Sequence, residues 1–460
     1  MQDLRYEFAG KQVLVMGLGR FGGGVDAAQF AYRAGAKVTI TDLASAEQLS
    51  NSIGQLQSLA DIEFHLGSHE PADFEQADII IANPAVPNDN EFLQIARRAG
   101  KCVTSQMNIF FELCPARIIG ITGANGKSTT TALTAHLLKS ARHERVWLSG
   151  NIGNQPLLMT IDQIHPDDLV VLELSSFQLE QLAQVQKAPK VALLTNLTAN
   201  HLDRHGTFAD YCAAKENIFK FQELDENSPS VSIFNTEDEI SAEWIEKYKK
   251  DRGRICIGFS ADDVSEEIRR VFSLPGRANL SNLAAAMAIA GYFGIDDGQI
   301  KSCLPEFKAL PHRLEFVEQI DGVSWYNDSK ATTPAGAITA LEAFNQPIVI
   351  IAGGYDKHIP FDGFGEKITE KAKAAILIGT TAPKIAKAIE NAADRENSEK
   401  KPKVEIADSL ANAVEKAHDL AAPGDVVLLS PACASYDMFE NYEQRGKEFS
   451  KLIKSLNRKT

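Results

Sequence analysis

The sequence predicts an α/β protein of three domains built on largely parallel sheets. Three observations point there. Short apolar strands alternate with helical segments almost throughout the 460 residues. The strand–helix series restarts twice, and the length is that of about three domains. Two glycine-rich turns each sit between an apolar strand and a helix, the arrangement of open α/β sheets that bind phosphates.

The first series carries strands at QVLVMG, KVTITD and ADIIIAN and closes near KCVTS, so the first domain is expected to span residues 1–105. The second restarts at ARIIGITG and continues through a helix from Lys127, DLVVLELSS, KVALLTNLT, SVSIFN and RICIGF. It ends after the small-residue helix NLAAAMAIAGYFG, giving 106–309. The third, 310–460, holds LPHRLEFV, WYNDSK, PIVIIAGG, AAILIGT and DVVLLSP, with a terminal helix from about Phe439. The charged stretch NAADRENSEKKPK reads as a solvated surface loop.

Composition narrows the function. With 44% hydrophobic and 23% charged residues the chain is an ordinary globular one. A formal net charge of −14 argues against nucleic-acid or anionic-membrane partners. Six scattered cysteines form no CxxC pair, so neither a zinc site nor a disulfide framework is expected. The N-terminal residues lack the apolar run of a signal peptide, and the longest apolar run, Leu283 to Ile295, is too short for a bilayer. A cytoplasmic monomer acting on small molecules is the expectation.

The loop GITGANGKST carries the strongest chemistry. Gly123 and Gly126 let the backbone turn its N–H groups inward, the helix start adds partial positive charge, and Lys127 adds a full one. Ser128 or Thr129 is placed to coordinate Mg²⁺. The spacing departs from G-x4-G-K-[ST], because position 121 is isoleucine. A nucleoside triphosphate site is predicted. Glu173 ends the strand of ELSSFQLE and His201 follows the next strand, both at the ligand-binding edge of the sheet. With the phosphate loop beside them, they read as hard-cation ligands. His201 and His205 also have the spacing of a helical zinc pair, though no third ligand is evident. Lys215, between Ala214 and Glu216, reads by default as a solvated lysine. The first loop, Gly17-x-Gly19-x-x-Gly22 with Asp42 twenty residues on, has the dinucleotide-binding spacing, so a nicotinamide-dependent oxidoreductase stands as an alternative.

The motifs GITGANGKSTTT, GNIG, ELSSFQL, NLTANHLDRHGTFADYCAAKENIF, LPHRLE, NDSKAT and LLSPACASYDMFENYEQRG, in that order along the whole chain, resemble the Mur ligases. The resemblance implies an N-terminal Rossmann-like domain, a central P-loop-type ATPase domain and a C-terminal Rossmann-like domain. It implies ADP-forming ligation of D-glutamate to UDP-N-acetylmuramoyl-L-alanine, using ATP and two Mg²⁺ sites. By the same resemblance Gly17, Gly19, Arg20, Phe21, Gly22, Asn83 and Asn151 would hold the UDP-sugar peptide, with Asp42 on the uracil side. Gly123, Asn125, Gly126, Lys127, Ser128 and Thr129 would cradle the ATP phosphates. Asn279, Asn282, Arg313 and Asp328 would serve adenine, ribose and the γ-phosphate. Ser128 and Glu173 would bind one Mg²⁺, and His201 with a carbamylated Lys215 the other. Lys330, Thr332 and Lys357 would hold amino-acid carboxylates or nucleotide, and Ser435, Asn441 and Tyr442 would frame the D-glutamate side chain. The chain departs from the family pattern at GLGRFGGG, at NPAVP in place of SPG, at Asn200 in place of aspartate, and at Tyr442 in place of phenylalanine.

Overall fold

A computed structural model of the chain describes residues 7–20, 22–141, 145–152, 156–395 and 401–456. The apolar, β-branched segments seen in the sequence form three sheets. The first comprises β1 (Gln12–Met16), β2 (Lys37–Asp42), β3 (Glu63–Leu66), β4 (Ile79–Ala82) and β5 (Cys102–Thr104). Its order is β3-β2-β1-β4-β5, all parallel. The second comprises β6 (Arg117–Thr122), β7 (Val146–Gly150), β8 (Leu169–Glu173), β9 (Val191–Leu194), β10 (Ser230–Asn235) and β11 (Arg254–Phe259), in the order β11-β10-β9-β6-β8-β7, again all parallel.

The third comprises β12 (Glu315–Ile320), β13 (Val323–Asn327), β14 (Ile348–Gly353), β15 (Ala372–Ile378), β16 (Lys403–Ile406) and β17 (Val426–Leu429). Its order is β12-β13-β17-β14-β15-β16. Here β12 and β13 are an antiparallel hairpin, turned at Asp321 and Gly322, and the remaining pairs are parallel. Central strands such as β8, β9, β14 and β17 are buried on both faces, which explains their unbroken apolar runs.

These sheets belong to two compact units. One is Met1–Asp263 with Ser281–Cys303; the other is Val264–Leu280 with Leu304–Thr460. The helix Arg277–Tyr292 contains one of the points where the chain passes from unit to unit. Within the second unit, Gly276 at φ +89° lies so close to Ala343 that a Cβ would come within 2.7 Å of the Ala343 Cα.

In the first unit, the first sheet's helix Gly23–Arg33 is fastened to the segment after β7. Its buried Asp26 accepts from the N–H groups of Leu157, Leu158 and Met159 at 3.0, 2.8 and 3.0 Å, and from Gln106 Nε2. Three backbone donors to one carboxylate make this a strong tie. Gly24 lets the same helix approach the end of β1, since a Cβ there would meet the Leu18 carbonyl at 2.4 Å.

One expectation is corrected. Of NAADRENSEKKPK, the first five residues finish the helix Ala382–Arg395, and Ala392 and Ala393 are buried in it. The alanines' apolar spacing, continuing that of Ile385 and Ile389, outweighs the charges around them. The apolar run from Leu283 to Ile295 is buried at 283–286, Ile289, Ala290 and Ile295 but exposed at Gly291 and Gly294, its helix ending at Tyr292, and all six cysteines are free thiols. Among the described residues no helix is long and apolar enough to cross a membrane.

Candidate active site

Both glycine loops leave the carboxyl ends of their sheets next to the point where strand order reverses, β1 between β2 and β4, and β6 between β8 and β9. That is where open α/β sheets form ligand crevices. In the first loop, Gly17, Gly19 and Gly22 have φ of +87°, +63° and +85°, values that glycine adopts without the cost a side chain imposes. Asp42 shapes the loop from the end of β2, accepting from Gly19 N at 3.1 Å and Ala44 N at 2.8 Å. Asn83, after β4, donates to the Gly17 carbonyl at 3.2 Å and accepts from Ala85 N at 3.0 Å. Arg20 is exposed at the loop's tip, and Phe21 lies outside the described residues.

The second loop is braced from β9. Thr195 Oγ1 donates to the Asn125 carbonyl at 2.6 Å, Asn125 N donates to Asn196 Oδ1 at 2.9 Å, and Asn196 Nδ2 returns to the Asn125 carbonyl at 3.1 Å. Gly123 and Gly126 have φ of +148° and +79°. A Cβ on either would collide, at 1.9 Å with Thr195 Oγ1 and at 2.1 Å with Asn282 Oδ1. Asn282 thus touches the loop directly, and also accepts from Thr130 Oγ1 at 3.3 Å. The Lys127 ammonium folds over the loop onto the Gly123 and Ala124 carbonyls at 3.0 and 2.8 Å. Ser128 and Thr129 are buried in the first helical turn.

Around this loop the structure gathers the predicted acid, histidine and lysine on the carboxyl edge of the second sheet. Glu173 is 2% exposed at the end of β8. Its Oε1 accepts from Asn151 Nδ2 at 3.3 Å, while Oε2 has no hydrogen-bond partner among the described residues. A buried carboxylate oxygen left in that condition is expensive unless a cation or ligand meets it.

Lys215 is 1% exposed within the helix Phe208–Lys220. Its Nζ donates to Thr122 Oγ1 at 3.2 Å and stands 4.9 Å over the Tyr211 ring. Burial, and then the nearby Lys127 charge, hold its pKa well below the usual lysine value, with Glu173 acting in the other direction. Its ammonium form is therefore disfavoured by the fold, and the side chain is not the solvated lysine that the sequence suggests.

His201 takes the left-handed conformation at φ +53°, with its N–H on Asn200 Oδ1 at 2.9 Å. Its pKa is lowered by loss of hydration and by the Lys127 ammonium. His205 faces elsewhere. It is stacked on Phe177, its Nε2 is 2.9 Å from Ser176 Oγ, and its Nδ1 is 3.3 Å from Glu180. The zinc-pair alternative therefore fails, and among the described residues no cluster of three His, Cys, Asp or Glu could hold a metal.

The second unit brings its own residues to the carboxyl ends of β13, β14 and β17. Asp328 accepts from Ser430 Oγ at 2.8 Å and Leu314 N at 3.2 Å, and burial pushes its carboxyl up to about 7. Arg313 lies one residue before Leu314 and acts electrostatically on Asp328. Asn279 donates to the Pro275 carbonyl at 2.8 Å. The Lys330 ammonium stands 5.5 Å over the Tyr442 ring, and the Thr332 N–H donates to the Lys330 carbonyl. Ser435 is 2% exposed, and its hydroxyl has no hydrogen-bond partner among the described residues. Lys357 is exposed beyond β14, and Asn441 Oδ1 accepts from Gln444 N at the start of the last helix.

Sequence reasoning missed Arg445. It is 1% exposed, and it joins the Ser329 and Cys433 loops by donating to the Ser329 carbonyl (2.8 Å), Ser329 Oγ (2.9 Å) and the Cys433 carbonyl (3.1 Å). Burial lowers its pKa to about 10. The only signal was its place in NYEQRG, which local pattern cannot distinguish from a solvated helix position.

Fold and loops define a multidomain α/β protein with two glycine-rich turns at the carboxyl ends of its first two sheets, and the comparisons narrow the class. The model of the Mur ligase MurD-like N-terminal domain matches residues 11–105, that of the Mur ligase middle domain 121–290, and that of the Mur ligase glutamate ligase domain 312–433. The UDP-N-acetylmuramoylalanine--D-glutamate ligase of Roseiflexus sp. (strain RS-1) is 39% identical, the match covering 98% of this chain and all of that protein. The protein of the same name from Acetivibrio thermocellus is 37% identical over 99% of each. Among solved structures, the MurF ligase from Thermotoga maritima, in complex with ADP, shares the fold with a TM-score of 0.57 at 17% identity over 99% of this chain and all of that one. The chain belongs to the Mur ligase family.

Proposed function

We propose that this chain is an ATP-dependent, ADP-forming ligase that joins D-glutamate to UDP-N-acetylmuramoyl-L-alanine in the cytoplasmic synthesis of peptidoglycan precursors. The relatives of that name match it from end to end. The observation that carries the chemistry is Lys215, buried at the carboxyl edge of the second sheet with no carboxylate hydrogen-bonded to it among the described residues.

The roles divide among residues 1–105, 106–309 and 310–460. The Gly17–Gly22 turn holds the diphosphate of the UDP-sugar, with Asp42 toward the base and Asn83 and Asn151 toward the sugar peptide. The Gly123–Thr129 loop takes the ATP phosphates, and Lys127 leaves its loop carbonyls for the β- and γ-phosphates. Asn279, Asn282, Arg313 and Asp328 serve the nucleoside and γ-phosphate. A substrate carboxylate oxygen attacks the γ-phosphorus, the bond to ADP breaks, and an acyl phosphate results. The D-glutamate amine then attacks the acyl carbon and phosphate leaves. Lys330, Thr332, Lys357, Ser435, Asn441 and Tyr442 orient the amino acid, and the unpartnered Ser435 hydroxyl is suited to a carboxylate.

The residues present fit Mg²⁺. Glu173 offers a buried oxygen without a partner, and Ser128 a hydroxyl in the first helical turn. His201 and Lys215 would complete a second site once the amine has added CO₂, because a neutral amine is a poor ligand for so hard a cation and a carbamate is a good one. Bound Mg²⁺ neutralises phosphate charge as it develops. The chain's own groups do the rest: they bind the phosphates, set the carboxylate in line and exclude water from the acyl phosphate. A monomer with small-molecule partners only completes the reading.

The test is phosphate release with ATP, Mg²⁺ and UDP-N-acetylmuramoyl-L-alanine, offering D-Glu, L-Glu, D-Asp, L-Ala and diaminopimelate separately. Turnover with D-Glu alone is expected. Turnover with another amino acid, or with none, overturns the assignment.

A further inference from the structure

The loop Asn83-Pro84-Ala85-Val86-Pro87, which follows β4 beside the first glycine turn, is held from two directions. On one side Asn83 binds the Gly17 carbonyl and the Ala85 N–H. On the other, Gln181 Nε2 donates to the Ala82 carbonyl at 3.3 Å, Gln184 Nε2 to Asn88 Oδ1 at 2.8 Å, and Arg204 to the Ala85 and Val86 carbonyls through Nη1 and Nη2, the latter at 2.9 Å. The two glutamines come from the helix Ser176–Val185. Arg204 does not. It sits in the short helix Leu202–His205, three residues after His201.

The Arg204 guanidinium also lies 4.9 Å over the Phe177 ring, and that ring meets His201 edge-on at 5.2 Å and stacks on His205 at 5.2 Å. A continuous set of contacts therefore runs from the glycine turn through Asn83, the Ala85–Val86 carbonyls and Arg204 to Phe177 and His201. Among the described residues Arg204 has no salt bridge. Its charge is directed at two carbonyl oxygens, which a planar fork can take together and a lysine cannot.

We propose that Arg204 is a positioning residue that couples UDP-sugar binding at the first glycine turn to the placement of His201 beside the ATP loop. The proposal rests on the reading of that turn as the UDP-sugar cradle. The Ala85 N–H is committed to Asn83, so this loop meets its ligand through where it is held rather than through that donor. Arg204 is the member of the three tethers that lies in the His201 segment itself, so it carries the loop's position there directly, whereas the glutamines reach His201 only through Phe177 on their own helix.

The full-length protein with Arg204→Met, Arg204→Lys, Gln184→Ala or Asn83→Ala is compared with wild type. UDP-N-acetylmuramoyl-L-alanine binding is measured by calorimetry without ATP or amino acid, and kcat and the ATP KM in turnover. Loss of two charge-assisted hydrogen bonds should weaken UDP-substrate binding about ten-fold in Arg204→Met. It should also lower kcat, with the ATP KM unchanged. Arg204→Lys should recover part of both, and Gln184→Ala should weaken binding while leaving kcat intact. Asn83→Ala combined with Arg204→Met should cost less than the product of the two single effects.

Unchanged binding and kcat in Arg204→Met overturn the proposal. So does an equal rise in the ATP KM, which marks a merely structural role. Should Arg204→Met fail to fold, Arg204→Lys carries the same test. Wild-type binding of the UDP-substrate without D-Glu turnover overturns the functional reading alone. Absence of that binding overturns the cradle and the proposal together.

Discussion

Replacing Asp328 with asparagine should make the protein less stable in mild acid and more stable above neutrality. The Asp328 carboxyl is buried, accepts from Ser430 Oγ and Leu314 N, and has its pKa raised from 3.8 to about 7. Between those values the folded chain keeps a proton that the unfolded chain releases. Stability therefore falls as pH rises through that window, and above about pH 7 the full penalty is present. The difference between those two values corresponds to about 4 kcal/mol. Asparagine does not titrate, but its single oxygen cannot accept from both donors, which costs about 1–3 kcal/mol at every pH. The two stability curves should cross between about pH 4.5 and 6, where the growing carboxylate penalty overtakes the fixed cost of asparagine.

Calorimetric melts of both proteins at pH 5, 6, 7 and 8 read this directly, at about 2–4 °C per kcal/mol for a unit of this size. Taking the difference between the two proteins cancels every other titrating group. A difference that stays flat from pH 5 to 8 refutes the argument, because Asp328 would then be ionised in the fold at little cost.

Three further outcomes follow from the site. Glu173→Gln should abolish nearly all turnover while leaving the melting temperature unchanged or raised, since the carboxylate is buried with one oxygen unpartnered; a marked loss of stability would mean that the charge is already compensated. Lys215→Ala should be inactive and partly restored by short carboxylates, read by phosphate release, and wild-type rate in the variant would dismiss the carbamate. Gly126→Ala places a Cβ 2.1 Å from Asn282 Oδ1 at φ +79°. The ATP KM should rise at least about ten-fold, from a conformational cost of about 1–2 kcal/mol plus the collision. An unchanged KM would show that the loop can relax.

Much of this was legible in the chain. Unbroken apolar runs such as LVVLE and IVIIAG marked the strands buried on both faces, and glycine spacing marked both strand-to-helix turns. The residues that stayed hidden depend on contacts distant in sequence. Lys215 is buried because Thr122, ninety-three residues earlier, lies beneath it, and nothing in AAKEN records that. Arg445 is buried by loops at 329 and 433. Short edge strands also escaped. β16 is largely exposed and β7 lacks a full apolar run, so their pairing rather than their composition defines them. Asp42 has the spacing of a ribose-binding acid, yet it hydrogen-bonds its own loop, a distinction that spacing alone cannot draw.

The second compact unit is assembled from two pieces of chain, 264–280 and 304–460. Relatives in the family invite chimeras in which one protein's last sheet is grafted onto the rest of another. A graft starting at residue 304 would carry a foreign Ala343 and leave the native Gly276 behind, although the two backbones are in contact with no room for a methyl group between them. The second unit is therefore transplanted in two segments or not at all.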